Sequence, residues 1–94
     1  MKIVDFILND RQYIKEVTKK DTIIFHHTAG NKDALAVAKD WNTDQRGRVA
    51  TAYIVGYDGN VVRCFDDKYW GYALGIGNAQ VEKKAIQIEL CAWG

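Results

Sequence analysis

The chain has 94 residues, 13 basic and 12 acidic, for a formal net charge of +1. That length suits one domain, and a balanced charge gives no basic field for counterion-driven capture of nucleic acid. With 48% hydrophobic and 27% charged residues the composition is that of a globular protein, no apolar run approaches the ~18 residues of a membrane span, and Asp5 interrupts the N-terminal run that a signal peptide needs. These features predict synthesis in the cytoplasm without export by a leader, and neither nucleic acid nor membrane as a partner.

Taken in order, residues 2–8 (KIVDFIL) are apolar without a clear period and read as a strand or a short helix. Residues 11–18 alternate loosely and read as an edge strand or turn. Residues 22–27 (TIIFHH) are β-branched and aromatic on both faces, the pattern of a central strand covered on both sides. Residues 32–43 are expected to be a helix capped by Asn31 or Asp33, with Ala34, Leu35, Val37, Ala38 and Trp41 at helical spacing. The polar stretch 44–48 is a loop. Residues 49–55 and 61–65 form a hairpin about the Asp58-Gly59 turn. Residues 66–78 are rich in aromatics and glycine and form a long loop. Residues 85–91 (AIQIELC) are a further strand of the central type. Cys64 and Cys91 form no CxxC pair and are expected to be buried thiols.

The fold class that follows is α/β, with a mixed central β-sheet and a flanking helix. A buried parallel-type strand needs cover on both faces, and nothing after residues 85–91 supplies it. The sequence therefore reads as a single but incomplete domain over 1–94, and its open apolar face predicts self-association or a further polypeptide that completes the domain.

Several residues could carry chemistry. His26 and His27 end a strand, where open α/β sheets place ligands. Imidazole is the commonest metal ligand, but neighbours on a strand face opposite ways, so a satisfied structural pair is the competing reading. Glu89 shares a strand face with Gln87, and that face is either simply wet or turned to the same cleft as His26, where a partly buried carboxylate suits general-base work. Trp70 and Tyr72 either stack on a ligand ring or anchor their loop to the core.

The ordered motifs IIFHHTAG, VATAYIVGYDGNVV, YWGYALG and Asn78-x7-IQIELCAWG resemble the zinc-dependent N-acetylmuramoyl-L-alanine amidases, which include phage lysozyme-type enzymes and peptidoglycan recognition proteins. The resemblance spans about residues 20–94. It implies an amidase-like fold, a zinc cofactor, peptidoglycan as the partner, and hydrolysis of the bond between N-acetylmuramic acid and L-alanine in the bacterial cell wall, as in an endolysin of a bacteriophage. It places the first zinc ligand on His26 and the base on Glu89. His27, Thr28, Thr51, Trp70, Tyr72 and Asn78 fall at substrate-binding positions. The family's second and third ligands follow the IxIEL strand and have no counterpart before Gly94, Ala73 stands where many relatives carry a histidine, and Thr51 where some carry a tyrosine. The resemblance thus implies an enzyme by family but a partial site that leaves the 94 residues alone inactive. The alternative is a non-catalytic peptidoglycan-binding module of the same fold.

Overall fold

The computed structural model describes residues 2–28, 33–47 and 49–92. Five strands and two helices follow one another as β1 (Ile3–Asp5), β2 (Thr22–His27), α1 (Ala34–Asn42), β3 (Tyr53–Val55), β4 (Val61–Arg63), α2 (Ala79–Glu82) and β5 (Ala85–Leu90). They build one sheet in the order β1-β4-β3-β5-β2. Only β3 and β4 run antiparallel; the other three pairings are parallel. This is the expected α/β class with a mixed sheet and a flanking helix.

The β3–β4 hairpin forms where the Asp-Gly signal puts it. Gly59 takes φ +83, open to glycine without steric cost, and the backbone closes through Gly59 N–H to the Gly56 carbonyl at 2.9 Å and Gly56 N–H to the Asn60 carbonyl at 2.8 Å. A Cβ on Gly56 would meet Asp58 Oδ1 at 2.9 Å and Ala34 at 3.4 Å, so a bare backbone lets this turn lie against the start of α1. Helix α1 begins at Ala34 because the Asp33 carboxylate accepts the Leu35 N–H. The other candidate cap, Asn31, lies outside the described residues. The apolar face of α1 packs on β3 and β4, where Val37, Ala38, Ile54 and Val62 join Leu8, Tyr13 and Phe65 in the core. Tyr13 stacks on Phe65 with centroids 4.8 Å apart. Cys64 and Cys91 are free and buried, as expected.

Two expectations are corrected, one open reading is resolved and one short element is added. Strand β2 is an edge strand, not a central one covered on both sides: Ile23 is 60% and Phe25 58% exposed, since no described element packs on their face. Residues 11–18, read as an edge strand or turn, begin as a turn and make a single bridge, Ile14 with Trp70. The strand read over 49–55 shortens to Tyr53–Val55, and just before it the Thr51 hydroxyl donates to the Tyr53 carbonyl at 2.7 Å. A short helix, α2, closes the long loop where none was expected; Asn78 caps it by accepting the Gln80 N–H at 3.1 Å. Strand β5 is central, between β3 and β2, as its apolar pattern implies.

Candidate active site

Parallel pairing sets the site. In β2 and β5 the register matches Ile24 with Gln87 and His26 with Glu89; in β3 and β5 it matches Ile54 with Glu89. Residues in register project to the same side of a sheet. Ile24, His26, Gln87, Glu89 and Ile54 therefore share one face, and Ile23, Phe25, His27, Ile86, Ile88 and Leu90 the other. Helix α1 covers the first face over β3 and β4. The β5–β2 part beside it carries His26 and Glu89 near the carboxyl ends of two adjacent strands, where open α/β sheets hold their ligands.

Glu89 is half-buried, and burial raises its carboxyl above the ordinary value; the nearby His26 and His27 partly offset that rise. A carboxyl so placed takes up a proton more readily than one in water. His26 Nε2 lies 2.6 Å from Gln87 Oε1. Behind it, Gln87 Nε2 donates to Glu82 Oε1 at 3.2 Å, and the Leu74 N–H donates to the same oxygen at 2.8 Å. Glu82 is fully buried. Gln87 and Glu82 were not expected at the site. The alternation of β5 put Gln87 on the face of Glu89, but nothing local to α2 shows that Glu82 turns inward beneath it.

The other candidates are distributed differently. His27, opposite Leu90, lies on the reverse face from His26, so the two rings do not converge on one point. The Thr28 N–H donates to the Leu90 carbonyl at 3.0 Å, which sets it just beyond β2 beside the end of β5. Thr51 is buried, with its hydroxyl committed to the Tyr53 carbonyl. Trp70 is buried too: its indole N–H donates to Glu16 Oε1 at 2.9 Å, and Tyr72 packs edge-on against it at 4.9 Å. These rings anchor their loop, the second of the two readings of the aromatic cluster. Asn78 serves as the cap of α2. Two surface clefts, one around Arg11 and Asp44 and one around Asp33 and Asp58, do not include His26 or Glu89 among their lining residues.

Among the described residues no group of three or more His, Cys, Asp or Glu side chains could hold a metal ion. A zinc site takes three protein donors and an open position, or four donors. The described donors therefore do not by themselves fit the zinc that the resemblance implies.

The fold and site define an α/β domain that sets an imidazole and a burial-perturbed carboxyl side by side at the ends of neighbouring parallel strands. The family model of N-acetylmuramoyl-L-alanine amidase matches residues 16–94, and the chain belongs to that family. Among solved structures it is similar to the catalytic domain of XlyA (20% identity, TM-score 0.82, covering 97% of this chain and 61% of that one). It is also similar to a mutant endolysin from Bacillus subtilis (22%, TM-score 0.81, 97% and 62%) and to the Staphylococcus aureus hydrolase AmiA (16%, TM-score 0.67, 98% and 44%). At these identities the likeness is one of fold. The chain spans about three-fifths of the length of the endolysin structures it matches. No curated protein matches the sequence.

Proposed function

We propose that this chain works in the hydrolysis of peptidoglycan, at the amide bond between N-acetylmuramic acid and L-alanine, as part of a cell-wall lysin of the endolysin kind. The observation that carries the reading is the in-register pairing of His26 with Glu89 on the open part of one sheet face. Glu89 is the group that takes the proton from an attacking water, a role its burial favours. His26 is the metal-donor position. Zinc belongs to the reading through the family resemblance; at His26 it would need more donors than the described residues bring. Of the other substrate-binding positions, Thr28 keeps its place in the proposal because it sits beside the site.

A second reading, a module that binds peptidoglycan without cutting it, is favoured by the same shortage of donors. Purified peptidoglycan separates the two. New L-alanine amino termini are counted after incubation with the chain and zinc, and co-sedimentation with the insoluble wall is measured under chelation. For the 94 residues alone the expected outcome is retention on the wall with little release, because one imidazole holds zinc weakly. Release at an ordinary enzyme rate, abolished by chelation and by Glu89→Gln, would establish the amidase and show that the remaining donors are supplied. Neither retention nor release would refute both readings.

A further inference from the structure

The contacts behind His26 define which of its ring nitrogens carries the proton. The Leu74 main-chain N–H can only donate, so Glu82 Oε1 accepts at 2.8 Å. The group that Gln87 presents to that same oxygen, 3.2 Å away, is then its NH2 end, which fixes the orientation of the amide. Gln87 Oε1 is consequently the atom 2.6 Å from His26 Nε2, and a carbonyl oxygen only accepts. We infer that Gln87 and Glu82 are positioning residues that hold His26 with its proton on Nε2, leaving Nδ1 as the lone-pair atom of the ring.

The relay starts from a main-chain N–H, a donor that cannot reverse its role. Glu82 is fully buried and Gln87 is 5% exposed, so water competes little for either end of the amide. The relay also ties residues 66–78, through Leu74, to the histidine at the end of β2. An imidazole that donates from one nitrogen to a fixed acceptor has a set tautomer and a set ring orientation, the usual way in which a ligating histidine is held. The inference rests on the proposed amidase chemistry only for what Nδ1 then meets.

The test is the imidazole nitrogen spectrum of His26 in the full chain at neutral pH, by long-range 1H–15N correlation. The expected pattern is a proton on Nε2 with Nδ1 bare, and an Nε2-bound proton slow enough in exchange to be seen. Gln87→Met keeps the length of the side chain and removes both ends of the amide. It is expected to speed exchange of that proton roughly three- to tenfold, the factor a hydrogen bond of ordinary net strength gives, while the amide fingerprint stays folded. Glu82→Gln, which retains an acceptor oxygen for Leu74 and Gln87, is expected to leave the His26 pattern as in the parent. A proton on Nδ1 in the parent, or an unchanged Nε2 proton in folded Gln87→Met, would overturn the inference. Wall retention and release are measured separately, so the failure of either idea is told apart from that of the other.

Discussion

Ile54 is the most informative single residue to shorten. It is 0% exposed, sits in β3 among the core residues beneath α1, and is in register with Glu89. Ile54→Ala removes three buried carbons, which at about 0.8 kcal/mol each is about 2.4 kcal/mol of lost transfer free energy. The cavity left under α1 adds to this, and the sum should fall at about 3–4 kcal/mol. Ile54→Val removes one carbon and should cost about 0.5–1.5 kcal/mol. A chain of this size has roughly 5–14 kcal/mol in total, so the alanine variant gives up about a fifth of it or more. The melting temperature should fall by roughly 12–32 °C. Urea unfolding followed by circular dichroism measures the change, with an unchanged slope showing that the unfolding reaction is the same. A loss below about 1 kcal/mol for alanine, or equal losses for valine and alanine, would refute the placement of Ile54 in a close-packed core.

Two further outcomes follow from ionisable groups. The Glu89 carboxyl is raised by burial, so the folded state binds its proton more tightly than the unfolded state does. That stabilisation is complete below the unfolded value and is lost as pH rises through the folded value. Glu89→Gln should therefore gain stability relative to the parent as pH rises from the ordinary carboxyl value of 4.5, and the gap should level off once Glu89 is ionised in both states; a gap that narrows with rising pH in urea melts would reverse the assignment. Burial pushes the Cys64 thiol up to about 12, and Cys91 is 1% exposed. Neither should react with a thiol-disulfide reagent in the folded chain at neutral pH, and both should react in denaturant; prompt reaction of one thiol equivalent without denaturant would show that the core opens.

Much of the architecture is legible along the chain because it depends on neighbours in sequence. The Asp58-Gly59 turn needs a residue tolerant of positive φ, and the helix from Ala34 needs a cap and an apolar stripe. The alternation in β5 separates Gln87 and Glu89 from Ile86, Ile88 and Leu90. The same alternation separates His26 from His27. What stands on either side of a strand is not local. The run TIIFHH has the composition of a covered central strand, yet it lies at the sheet edge with Ile23 and Phe25 open. The four residues of α2 are too few to show a helical period, so only the capping Asn78 marks it in advance.

The same division holds for the site. The residue types that do chemistry, the imidazole of His26 and the carboxyl of Glu89, are visible in the sequence, as is the face each occupies on its own strand. That the two stand opposite each other is a matter of register between strands that lie 63 positions apart, and register is decided only when the sheet assembles. Trp70 and Tyr72 read as a loop anchor more readily than as a stacking platform, and burial and the bond to Glu16 decide for the anchor. The relay from Leu74 through Glu82 and Gln87 to His26 joins four separate segments. Local propensity and period determine the elements of this protein, because they act within a few residues. Pairing, cover and the state of the histidine are decided by tertiary structure, because they depend on groups that only the folded sheet brings together.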